Sequence, residues 1–127
     1  MIDELSIITP ALNEDKYLPK LLSSIVDQHF PGKLQVIIVD GQSTDNTVKA
    51  AEFFKDKIPE IVVISSKRGI GYQRNRGAEK AKYKYLLFLD ADMVLPPKFF
   101  GRLLTKVNPQ ERFIDTVILW SAEFDIL

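Results

Sequence analysis

The sequence contains no cysteine and only one histidine. The first absence excludes a disulfide framework and thiol chemistry. The second leaves His29 no imidazole partner with which to share a metal, so a surface or capping role fits it better. Net charge is missing as well, since 17 lysines and arginines balance 17 aspartates and glutamates. No overall field draws the chain to nucleic acid or to an anionic membrane, and any anion has to be held by a local site. Long apolar runs are also lacking. Stretches such as Leu86 to Leu89 are far too short to cross a bilayer, and the N-terminus lacks the basic and apolar regions of a secretion signal. The expectation is a cytoplasmic protein without a transmembrane segment.

What is present describes a folded chain. Apolar residues make up 46% and charged residues 27% of 127 positions, enough to bury a core within one domain covering residues 1–127. Four short apolar runs read as buried strands: Leu5 to Thr9, Leu34 to Val39, Ile61 to Ser65 and Tyr85 to Leu89. A fifth is expected at Thr116 to Trp120, after a loop at Asn108 to Arg112. Leu18, Leu21, Leu22, Ile25 and Val26 form a helical stripe between the first two runs. Further helices are expected from near Asp45, from about Tyr72 to Lys82, and from Pro97 to about Lys106. Strict alternation of strand and helix predicts an α/β fold of three layers, a mainly parallel sheet with helices on both faces. Ligands of such sheets sit beyond the carboxyl ends of the strands.

Each of those ends carries polar or turn-forming residues: Pro10-Ala11-Leu12-Asn13-Glu14, Asp40-Gly41-Gln42-Ser43-Thr44-Asp45, Lys67-Arg68-Gly69 and Asp90-Ala91-Asp92. Asp90 and Asp92 set two carboxylates one residue apart where the backbone leaves the sheet. A hard cation such as Mg²⁺ or Mn²⁺ relieves their repulsion and keeps positions open for diphosphate oxygens. An isolated Asp-x-Asp equally fits two loop aspartates, one capping a turn and one solvated. Asp40 can reach over the sheet's end toward a base N–H, or form an Asx-turn with Gly41. Asn13 can cap the first helix, with Glu14 favourable near its positive end. The glycines and arginines from Gly69 to Gly77 suit an anion at a helix start, although no Gly-Lys-Ser/Thr follows as in a Walker loop. Arg74 and Arg76, two apart on a helix, cannot both face inward; Arg74 is the better candidate and Arg76 reads as solvated.

Taken together, Ser6 to Glu14, Val39 to Thr47, Arg74-Asn75-Arg76-Gly77 and Leu89-Asp90-Ala91-Asp92 resemble the family 2 glycosyltransferases in order and spacing. The match covers the nucleotide-binding half of their GT-A fold. Gln42 departs from the commoner Asp-Gly-Ser pattern. The resemblance implies a UDP- or GDP-sugar donor, with Thr9, Pro10, Ala11 and Glu14 around the nucleoside and Asp40 on the base. It sets Arg74 near base or diphosphate, Asp90 and Ala91 at the donor, and Asp92 with Asp90 on Mn²⁺ or Mg²⁺. It also implies inversion at the anomeric centre by a downstream carboxylate. Glu111, Asp115, Glu123 and Asp125 are the only carboxylates after Asp92, and none sits in a matching motif, so no catalytic base is assigned.

The acceptor-binding half therefore looks absent, and the acceptor stays unidentified. A truncated, non-catalytic nucleotide-binding module, or a subunit needing a partner, is the alternative. A phosphatase of the haloacid dehalogenase type is a third reading, opposed because its aspartate pair follows the first strand rather than the fourth. The apolar C-terminal run Val117-Ile118-Leu119-Trp120, with Phe124, Ile126 and Leu127, implies a homodimer or partner contact over an exposed edge.

Overall fold

The computed structural model describes residues 3–106 and 118–119. Its elements alternate as the apolar runs require: β1 (Glu4–Ala11), α1 (Leu18–Val26), β2 (Lys33–Asp40), α2 (Thr47–Glu52), β3 (Ile61–Ser65), α3 (Ile70–Lys80), β4 (Leu86–Phe88), α4 (Phe99–Lys106) and β5 (Ile118–Leu119). The sheet is parallel throughout, in the order β3-β2-β1-β4-β5. The α/β expectation holds, with helices on both faces. Leu5, Ile7 and Ala11 of β1 pack with residues of α1, α2 and α4 in the main core. Ile8, Ile37, Val39, Leu86 and Phe88 form a second cluster that takes in Ala78 of α3. Alternate residues of one strand thus serve opposite layers, which is why β1 and β2 are apolar almost without interruption.

Gly77 sets how closely α3 approaches the sheet. A Cβ at this position would lie 2.4 Å from Cγ2 of Ile8 and 2.9 Å from Cγ2 of Val39. At the amino end of the sheet, the Ser6 hydroxyl donates to Oε1 of Gln35 at 2.7 Å, and the Lys82 N–H donates to the same oxygen at 3.0 Å. Glu60 accepts from the Tyr83 hydroxyl at 2.6 Å and pairs with Lys82, and these two partners hold its carboxyl below the ordinary glutamate range.

Strand order creates the feature that matters for function. From β1 the chain steps outward to β2 and β3, then crosses back over β1 to lay down β4 on its other side. The carboxyl ends of β1 and β4 therefore border a topological switch point, where open α/β sheets present a crevice. Pro10 helps to keep it open. Its even-numbered neighbours bond toward β4, Ser6 N–H to the Tyr85 carbonyl at 2.9 Å and Leu89 N–H to the Ile8 carbonyl at 3.1 Å. Pro10 continues that parity without an N–H, at a point where β4 has already ended its pairing at Ile8 and Phe88.

Several element limits differ from expectation for local reasons. Strand β1 runs past Thr9 through Pro10 and Ala11, because β2 continues to pair with them up to Ala11 opposite Asp40. Asn13 is not the cap of α1, which starts at Leu18; it takes φ 53° and serves a different contact. Helix α2 starts at Thr47, whose N–H is bonded by the Asp45 carboxylate at 2.9 Å. Helix α4 starts at Phe99, just beyond Pro97. The C-terminal carboxylates, the Asn108 to Arg112 loop and most of the apolar C-terminal run lie outside the described residues. Among the described residues, no helix is long and apolar enough to cross a membrane.

Candidate functional site

The loops after β1 and β2 are stitched together. The Asn13 N–H donates to the Ser43 hydroxyl at 2.8 Å, and Asn13 Oδ1 accepts the Thr44 N–H at 2.8 Å. One residue on, the Glu14 N–H donates to Oγ1 of Thr47 at 2.8 Å. This reciprocal staple explains the positive φ of Asn13, since a short amide tolerates the left-handed region while bonding nearby backbone. Asp40 is 6% exposed, and both its carboxylate oxygens accept the Ser43 N–H at 3.3 Å. Arg68 fixes the same loop from the other side, donating from Nε to the Gly41 carbonyl at 3.2 Å.

Gln73 completes the frame. Its Nε2 donates to the carbonyls of Ala11 at 3.2 Å and Val39 at 2.9 Å, while its Oε1 accepts the Gly69 N–H at 3.2 Å. Beside it lies a cavity of about 240 Å³ lined by Pro10, Ala11, Leu12, Glu14, Gly69, Ile70 and Gln73. A larger recess of about 790 Å³ runs between α1 and residues Val94 to Lys98, and none of its lining residues belongs to the strand-end loops.

Across the crevice, Nη2 of Arg74 lies 3.1 Å from Oδ1 of Asp90, with the two side chains 35% and 36% exposed. Arg76 turns outward to Glu79 at 2.8 Å, as helical geometry requires of a residue two positions away. Asp92 is exposed. Thr9 and Ala91 are enclosed, at 0% and 4% exposure, so the structure does not present either to a ligand. Among the described residues, the buried Thr9 hydroxyl has no hydrogen-bond partner.

Carboxylates crowd one part of this region. Burial, and then the nearby charges of Asp92 and Asp45, hold the Glu14 carboxyl above its ordinary range. For a carboxylate raised in this way, folded stability is greatest at low pH and is lost as pH rises through the folded value. Asp92→Asn is therefore expected to move the Glu14 titration downward but not fully to the ordinary range, because burial is the larger cause. A carboxyl-carbon NMR titration would detect this, and an unmoved Glu14 would show that the two carboxylates do not interact.

Oxygen-only donors with excess negative charge suit a hard cation such as Mg²⁺ or Mn²⁺. Among the described residues, no group of three histidine, aspartate or glutamate side chains forms a metal cage. Asp90 and Asp92 are the carboxylates that could contribute oxygen ligands to such an ion.

With this geometry in place, the family model for glycosyl transferase family 2 matches residues 6–124. The chain belongs to this family. An uncharacterized glycosyltransferase, YibD, of Escherichia coli is 32% identical over 104 residues, covering 81% of this chain and 30% of the relative. The poly(ribitol-phosphate) beta-N-acetylglucosaminyltransferase TarS of Staphylococcus aureus is 34% identical over 90 residues, 68% of this chain and 16% of TarS. The chain thus spans less than a third of these two family 2 relatives.

Solved structures agree on the fold. The TarS 1-349 complex with UDP-GlcNAc matches with a TM-score of 0.74 at 29% identity, over 80% of this chain and 30% of that one. The mannosyltransferase PcManGT of Pyrobaculum calidifontis, in complex with GDP-Man and Mn²⁺, gives 0.73 at 26% identity, over 83% of this chain and 32% of that one. Membership of family 2 sets aside the phosphatase reading.

Sequence reasoning missed Gln73, Arg68 and the Asn13 staple. Only Gln73 carried a signal: it lies four residues before Gly77, on the buried stripe of α3.

Proposed function

We propose that residues 1–127 form a nucleotide-sugar-binding domain that holds a UDP- or GDP-linked donor in the crevice between β1 and β4, with Mn²⁺ or Mg²⁺. The observation that carries this reading is that the parallel strands bring all four strand-end segments to one edge of the sheet, beside a cavity lined by the segments after β1 and β3. Support comes also from the donors named in the TarS and PcManGT complexes, one uridine-linked and one guanosine-linked.

In this reading the base enters beside Pro10, Ala11 and Leu12, and Asp40 accepts a hydrogen bond from a ring N–H. The buried position of Asp40 strengthens that contact by excluding competing water. Glu14 lies at the mouth of the cavity toward Asp92. Arg74, on Asp90, offers a planar cation at the edge of the diphosphate position. Asp92 and Asp90 are the proposed metal ligands. A bound divalent ion supplies positive charge against the departing nucleoside diphosphate. The reaction is sugar transfer with inversion, the chemistry implied by the family. None of the described residues beyond Asp92 is a carboxylate, so the roles proposed here stop at the donor.

Calorimetric titration of the folded protein with UDP and with GDP, each with MnCl₂, tests the reading. Saturable binding of one of them is expected; no binding of either would end it.

A further inference from the structure

Helix α3 buries only two residues, Gln73 and Gly77. Glycine is explained by close packing, whereas a primary amide at 4% exposure is costly unless its bonds are made. All three of its observed bonds go to backbone that borders the donor crevice: the end of β1 at Ala11, the end of β2 at Val39 and the first turn of α3 at Gly69. Ala11, Gly69 and Gln73 itself wall the 240 Å³ cavity, and Val39 directly precedes Asp40. Gly41 rests on the same amide, where an added Cβ would lie 3.0 Å from Nε2.

We infer that Gln73 is a positioning residue for the nucleoside. Its amide ties the paired ends of β1 and β2 to the start of α3, and so sets how far Gly69 and Ile70 stand from Pro10, Ala11 and Leu12 across the cavity that a base must fill. This rests on the donor-binding reading. A side chain that served the fold alone would change unfolding without changing nucleotide affinity in the folded protein. Three bonds that join two strand ends to the start of α3 act on both, because they set the shape of the cavity as well as the seating of the helix.

Gln73→Met keeps length and buried area while removing all three bonds. Titration of parent and variant with UDP and GDP in MnCl₂ is expected to show a folded variant that binds roughly tenfold more weakly. Added to Asp40→Asn, the substitution should cost little more, because both act on the same contact, whereas with Asp92→Asn the two losses should multiply. Parent-like affinity, or a loss that persists in full on top of Asp40→Asn, overturns the inference. Should Gln73→Met fail to fold, Gly41→Ala presses on the same amide and is judged by the same criteria. A folded parent that binds neither nucleotide overturns the donor reading and this inference together; a binding parent with an unaffected variant overturns this inference alone.

Discussion

Gly77→Val is expected to destabilise the fold by about 3 kcal/mol, the upper part of the range for overpacking a well-packed interior. The reason is the interface between α3 and the sheet. Even a Cβ would sit 2.4 Å from Ile8 and 2.9 Å from Val39, and both contacts are methyl groups of fully buried, β-branched strand residues that cannot swing aside. Valine adds two more carbons. Its better helix propensity than glycine returns only a few tenths of a kcal/mol. The helix would have to lift from β1 and β2, taking Gln73 away from Ala11 and Val39. Urea denaturation would measure the loss, and an unchanged midpoint would mean that α3 does not sit as closely as described.

Asp92→Asn should act on ligand binding and leave the fold alone. Asp92 is exposed and makes no hydrogen bond or ion pair among the described residues, and losing its charge only relieves repulsion on Glu14. As a ligand it supplies a hard anionic oxygen that the amide replaces with a neutral one. Loss of a single outer contact in metal sites costs about 10- to 100-fold, so removal of a direct ligand should weaken Mn²⁺-dependent nucleotide binding by at least about 100-fold. Asp90→Asn should likewise weaken Mn²⁺-dependent binding and leave the fold nearly intact. Its pairing with Arg74 is more than a third exposed on the aspartate side, and such pairs contribute less than about 1 kcal/mol to stability. Titration of both variants with UDP or GDP and MnCl₂ checks this; full Mn²⁺-dependent binding by Asp92→Asn would refute the assignment.

Much of this was legible in the chain. The strands showed themselves because a parallel sheet buried on both faces demands uninterrupted apolar runs, and Ile61 to Ser65 was bounded correctly at both ends. That Arg74 and Arg76 cannot share a partner followed from helical geometry, and the two side chains do pair differently, with Asp90 and with Glu79. Errors arose where a distant partner decides a local conformation. Asn13 reads as a helix cap because asparagine caps helices, yet its amide is claimed by Thr44, 31 residues on. Gln73 had only its place four residues before Gly77 to mark it, because the partners of its bonds lie 62 and 34 residues away in sequence. The extension of β1 through Pro10 was hidden because a proline in a strand is acceptable only beside a neighbour that has already ended, a property of β4 and not of β1.

The central claim is that the diphosphate and its metal lie at the carboxyl end of the sheet, between β1 and β4. Relaxation enhancement by Mn²⁺ in backbone amide NMR, recorded with UDP or GDP present, tests it most directly. Amide signals of Leu12, Ala91 and Asp92 should broaden strongly, while those of Lys33, Lys82 and Tyr83 at the amino ends of the strands should keep their intensity. Broadening centred on the amino ends, or on the recess between α1 and Val94 to Lys98, would contradict the account.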